Sequence, residues 1–173
     1  PHLPFELRID QAVTFQGENI FVVRTDNTRR PGEVPGFKRG WRTVGGMLRG
    51  VELRATEYLF LEHTSSTAVP TAEGGQLTVE ATMVNQGPDE VEAALAVTVW
   101  DNDGSELAVW IRDPTAIPAD GEGTVIIGGA VEGVAPWTPE HPHLYTVEVA
   151  LRQGGRALET RHFCVGFRTI TVV

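Results

Sequence analysis

A single cysteine, Cys164, stands in 173 residues, so no disulfide can form within the chain. That excludes a disulfide-stapled scaffold and the Cys–Trp–Cys core of antibody domains, and it leaves the compartment open. No apolar run approaches the ~18 residues that a membrane-spanning helix needs. Basic residues are scarce: 14 Lys and Arg face 23 Asp and Glu, a net charge of −9. That balance is the wrong sign for a phosphate backbone or an anionic lipid surface, so neither nucleic acid nor membrane is an expected partner. Helical periodicity is missing as well. Only Ala12 to Phe15 offers a short helical turn, and no stretch keeps apolar residues at 3.6 spacing over three turns. The chain opens at Pro1 without a basic-then-apolar leader, which reads as the cut or processed end of a longer polypeptide.

What is abundant is alternation broken by turns. Apolar residues make up 41% of the chain, enough for a sizeable core, and 19 Gly and 11 Pro are dispersed between short runs. Ile20 to Val23, Val51 to Arg54 and Leu77 to Val84 read as strands. The longest alternation sets Val91, Ala93, Leu95, Val97 and Val99 against Glu92, Ala94, Ala96, Thr98 and Trp100. Asp101-Asn102-Asp103-Gly104 ends it as a hairpin turn, and the partner strand carries Leu107, Val109 and Ile111 on one side. Thr124 to Ile127 follows, then Tyr145, Val147, Val149 and Leu151. Gly154-Gly155 leads into a last strand region, Ala157 to Val173. Asp113-Pro114 and Ile117-Pro118 are expected to end their strand.

The pattern predicts an all-β protein. About seven strands between Glu73 and Val173 fit an immunoglobulin-like β-sandwich, here residues 76–173. Residues 1–65 show too few strands for a core of their own, and 66–75, rich in Ser, Thr, Ala and Gly, read as a linker.

Constellations that could carry chemistry have competing structural explanations. Asp101-Asn102-Asp103-Gly104 begins like a calcium loop, but Gly104 is fourth rather than sixth and Arg112 stands where the bidentate Glu belongs. His141-Pro142-His143 could offer two imidazoles to a metal, yet His2, His63 and His162 are scattered, and no metal site is expected. Cys164 alternates as a core strand residue, without an electropositive helix terminus to activate it. Ser65-Ser66 lacks a nucleophile elbow. Acidic residues such as Glu80, Glu92 and Glu148 lie at solvent positions of alternating strands, while Asp89, Glu90 and Asp120 sit in turns. Gly121-Glu122-Gly123 and Gly128-Gly129 precede no helix that could hold an anion. No cofactor is implied, and no catalytic residue can be named.

Two stretches resemble a known family. Trp137-Thr138-Pro139-Glu140-His141-Pro142-His143-Leu144-Tyr145, followed by Val165-Gly166-Phe167-Arg168, is similar to the "W-S-P-E-x-P-x-L-Y" and "F-G-F-R" motifs of glycoside hydrolase family 2. Thr138, His143 and Val165 are its departures. Gly17-Glu18-Asn19-Ile20-Phe21-Val22-Val23-Arg24-Thr25-Asp26-Asn27 and Gly40-Trp41-Arg42-Thr43-Val44-Gly45-Gly46 resemble the closing half of that family's N-terminal sugar-binding jelly roll. The resemblance implies a partial, truncated jelly roll over residues 1–65, preceding the immunoglobulin-like sandwich. It also implies retaining hydrolysis of β-glycosides by the parent enzyme, through two glutamates in a barrel that follows the sandwich. This chain, lacking that barrel, is expected to be catalytically silent, with the remainder of the parent as its partner. Gly40 replaces the carboxylate that would reach the sugar, with Thr43 and Val44 at the Asn and Tyr positions. Asp26, Asn27, Arg30, Trp41 and Arg42 remain candidates for a carbohydrate rim. A stand-alone carbohydrate-binding or adhesion module is the alternative, and a bared jelly-roll face or strand edge would favour homo-oligomers.

Overall fold

The structure, a computed structural model, describes residues 5–26, 28, 45–47 and 49–170. The chain divides into two units, Pro1–Leu53 and Arg54–Val173. In the first, the amides of Ala12 and Val13 donate to the Ile9 carbonyl at 2.8 and 3.1 Å. The Asn19 side chain accepts from the Thr14 amide at 2.8 Å and donates to the Thr14 carbonyl at 2.9 Å. The runs Ile20 to Val23 and Val51 to Arg54, expected as strands, form none and are exposed. Alternation makes a strand only where a second strand completes its ladder, and no described residue of this unit supplies one.

The second unit is a β-sandwich. Its seven strands are β1 (Leu59–Thr71), β2 (Gly74–Asn85), β3 (Val91–Trp100), β4 (Glu106–Ile117), β5 (Gly121–Glu132), β6 (Tyr145–Gln153) and β7 (Arg156–Val165). All strand pairs are antiparallel, in sheets ordered β1-β2-β5 and β4-β3-β6-β7. The inward series are Leu77, Val79, Ala81 and Met83 on β2, Ala93, Leu95, Val97 and Val99 on β3, and Tyr145, Val147, Val149 and Leu151 on β6; all are buried. Period-2 alternation thus builds one core between two faces.

Four expectations are corrected. Residues 66–71 are the second half of β1, and 74–75 begin β2, so the expected linker is a hairpin. Its Ser and Thr lie on a strand buried only at Leu59 to Leu61, which is why composition read as a loop. On β4, Leu107 packs on the core together with Ala108 and Trp110, while Val109 and Ile111, expected on the same side as Leu107, are 43% and 65% exposed. β4 also runs on through Pro114, which an edge strand tolerates because its missing N–H faces no partner. Cys164 is exposed, because Val165 takes the inward position next to it and Thr146 faces it across β6.

Three inward positions hold no side chain: Gly123 on β5, against buried Ile117, and two that face aromatic rings. On β5 the inward series runs Val125, Ile127, Gly129, Val131, and on β2 it begins at Gly75. A Cβ on Gly129 would lie 2.6 Å from Nε1 of Trp110, which reaches over from β4. A Cβ on Gly75 would lie 2.2 Å from the Phe167 ring. The gaps at Gly75 and Gly129 are each the seat of an aromatic ring. Phe167, fully buried, meets Tyr145 edge-on with centroids 5.5 Å apart, and the Tyr145 hydroxyl accepts from the Ala135 amide at 2.8 Å, tying the β5–β6 connection to the start of β6. At the other end, buried Asn85 donates to the carbonyls of Asp89 (2.8 Å) and Pro118 (3.0 Å) and accepts from the Gly87 amide, binding two turns together.

Gly75→Ala and Gly129→Ala should each lower stability by about 1–3 kcal/mol through overpacking, read from urea denaturation, and Gly129→Ala should also shift tryptophan emission. In the β3–β4 hairpin, the amide and hydroxyl of Ser105 hold the Asp103 carboxyl below its usual value of 3.8. The sign is that of a depressed acid: the contribution is present above that usual value and fades as pH falls through the lower folded one. An NMR acid titration should show the Ser105 amide responding only below the ordinary aspartate range.

Candidate functional site

Of the residues expected at a carbohydrate rim, only Asp26 lies among those described. It is exposed, and its Oδ1 accepts from the Thr28 amide at 2.9 Å. Asn27, Arg30, Trp41 and Arg42 lie outside the described residues. His141 and His143 stack with ring centroids 6.4 Å apart, and the His141 amide donates to the Thr138 hydroxyl at 3.0 Å, shaping a turn. Among the described residues no group of three or more His, Cys, Asp or Glu side chains gathers as a metal cage would need. His162 and Glu148, directly opposite on β7 and β6, meet at 2.9 Å on the outer face of their sheet.

The Trp137 and Phe167-Arg168 motifs come together in space. The Trp137 amide donates to the Phe167 carbonyl at 2.9 Å, and the Arg168 guanidinium lies 4.9 Å from the Trp137 ring centroid. Gly166 allows this approach, since a Cβ there would be 2.9 Å from the indole. The Arg168 amide then donates to the Ala68 carbonyl on β1 at 3.2 Å. These residues therefore close the core and set the direction in which the chain leaves β7.

At the opposite end of β1 a charged cluster does the equivalent for the chain's entry. β1 is an edge strand, so alternate residues turn their backbone groups away from β2, and Leu61 is one of them. Its amide donates to Glu159 Oε2 at 2.9 Å, and its carbonyl accepts from Arg54 Nη2 at 2.8 Å and from Arg161 Nη2. Arg161 Nε also donates to Glu159 Oε1 at 2.9 Å, and Arg54 Nη2 stands 3.6 Å from the same oxygen. Glu159 and Arg161 belong to the other sheet, so the cluster stitches the two sheets at this side and latches the residue where the second unit begins. No local motif announces it; its two halves, Arg54 with Leu61 and Glu159 with Arg161, are about a hundred positions apart, and the charges look like ordinary surface ones.

The family model described as "Glycosyl hydrolases family 2" matches residues 60–168, and the chain belongs to that family. A "Beta-glucuronidase" of Formosa agariphila is 24% identical over 189 residues, covering 96% of this chain and 19% of its own length. A "Beta-galactosidase" of Lactobacillus delbrueckii subsp. bulgaricus is 33% identical over 130 residues, covering 74% and 12%. Among solved structures, a family 2 member from Bacteroides cellulosilyticus shares the fold, with a TM-score of 0.63, 21% identity and coverage of 67% of this chain and 16% of that one. A Bacteroides uniformis β-glucuronidase gives 0.54 at 25% identity, covering 66% and 13%. The chain spans between 12% and 19% of the length of the curated relatives it matches.

Trypsin cleaves after an arginine it can draw into its own pocket, so the latch should shield the Arg54–Ala55 bond. In Glu159→Gln or Arg161→Met, cleavage after Arg54 should rise several-fold through easier local opening, while cleavage after exposed Arg24 keeps its rate.

Proposed function

We propose that this chain is a non-catalytic supporting portion of a family 2 β-glycosidase. The observation that carries the reading is the family match over residues 60–168, which spans the sandwich from β1 to Arg168. The geometry suits a spacer. With seven antiparallel strands, an odd number, the chain enters at one end of the sandwich and leaves at the other. A ten-residue strand such as β7 sets those ends about 30 Å apart. Both ends of that path are fastened, by the Arg54 latch at entry and by Phe167 and Arg168 at exit.

In this reading the leading segment is the closing part of a sugar-binding-type jelly roll, supported by the alignment with a β-glucuronidase over 96% of the chain. Asp26, Asn27, Arg30, Trp41 and Arg42 would flank a sugar site completed by the remainder of the parent. The parent reaction is retaining hydrolysis of a β-glycoside, one carboxylic acid protonating the leaving oxygen while a carboxylate forms the glycosyl-enzyme.

The purified chain should release no nitrophenol from aryl β-glucuronides, β-galactosides or β-mannosides, whereas the parent polypeptide should hydrolyse one of them with retained anomeric configuration. Activity that follows the chain's own peak through repurification would overturn the supporting role. An inverted product from the parent would overturn the mechanism.

A further inference from the structure

The two sides of the sandwich are closed by different devices. The β1/β7 side is stitched by the Arg54–Glu159–Arg161 cluster and by the Arg168–Ala68 backbone bond. The β4/β5 side is closed at its floor by Trp110 on Gly129, and above that floor a cleft of about 310 Å³ stays open. Gln76 and Thr78 of β2 line one wall, Trp110 and Arg112 of β4 the other, and Ile126 flanks Gly128 on β5.

Gly128 is what makes the cleft. It lies opposite Thr78 on the outer face of its sheet. Its φ is +147°, and a Cβ there would sit 2.2 Å from the Leu77 carbonyl oxygen, so no side chain can fill the space between the walls. The polar groups around that space are unspent. The Gln76 amide, Thr78 hydroxyl, Trp110 indole N–H and Arg112 guanidinium have no hydrogen-bond or ion-pair partner among the described residues. Arg112 is the one charged residue in the lining, although the chain as a whole carries −9.

We propose that this seam is a saccharide-binding site that takes a sugar bearing a carboxylate. A pyranose offers hydroxyls for an amide, a hydroxyl and an indole N–H, and apolar C–H faces for Ile126 and the indole ring. A hexuronate adds a planar carboxylate, which a guanidinium fork binds in bidentate fashion. The site needs neither a barrel nor catalytic glutamates, so its failure would leave the supporting role untouched.

The test is an amide-resolved NMR titration of the full chain with methyl β-D-glucuronide, methyl β-D-glucoside and potassium acetate. Saturable shifts confined to residues 76–78, 110–112 and 126–128 are expected, with half-saturation by the glucuronide at about millimolar concentration and roughly tenfold weaker response to the glucoside. Acetate should not saturate. Arg112→Gln, at an exposed position that leaves the floor intact, should bring the glucuronide down to the glucoside's level. Absence of saturable shifts at the seam, equal response to both glycosides, or acetate matching the glucuronide would each overturn the proposal. Trp110→Phe, which keeps an aromatic ring on Gly129 but removes the indole N–H, should weaken both glycosides alike.

Discussion

Two rings seated on two glycines hold this sandwich shut. A pair of packed sheets has open sides, where the inward series of each sheet faces a gap instead of another strand. Here Phe167 comes in from beyond β7 onto Gly75, and Trp110 comes in from β4 onto Gly129. Each ring supplies apolar volume at a place where the three-stranded sheet carries no side chain of its own. The dependence is mutual, because a methyl group at either glycine would displace the ring, and an empty glycine without its ring would leave a void in a close-packed interior. The family's Phe-Arg motif owes its position to this arrangement: Phe167 fills the core, and Arg168, the next residue, turns out over Trp137.

The edges follow from the same geometry. Unpaired strand edges invite association, and the sandwich answers with different devices on its two sides. On β1, charged side chains from β7 satisfy backbone groups that β2 cannot. On β4, Pro114 and the glycine-rich stretch of β5 interrupt what would otherwise be a regular edge. The two sides are thus closed by different chemistry. The side where the chain enters and leaves is held by charged side chains and a backbone bond, and the β4/β5 side by Trp110 on Gly129 and the short turn that joins the two strands.

How much of this could be read from the sequence depended on how evenly the faces differ. β2, β3 and β6 are central or well covered, so their inward residues alternate cleanly with polar ones and were legible residue by residue. β1 was hidden because most of it carries Ser, Thr and Pro in a weakly buried strand, which looks like a connection. The facing of β4 is reversed at Val109 and Ile111 but not at Leu107, since an irregularity beside Trp100 and apolar residues on both faces of an edge strand blur the alternation. The Trp137 and Phe167-Arg168 motifs were legible through their resemblance to the family, while the contact they make between the β5–β6 connection and the end of β7 is visible only in the fold. The Arg54 latch and the β4/β5 cleft were not legible, because both depend on which residues the sheet order brings side by side.

The parallel course of β1 and β7 has a mechanical meaning. The chain enters on one of these neighbouring strands and departs from the other at the far end. Tension along the polypeptide would therefore pull them past each other rather than peel them apart. The bonds between them, at Leu61 near one end and Ala68 near the other, would share such a load together instead of breaking one after another.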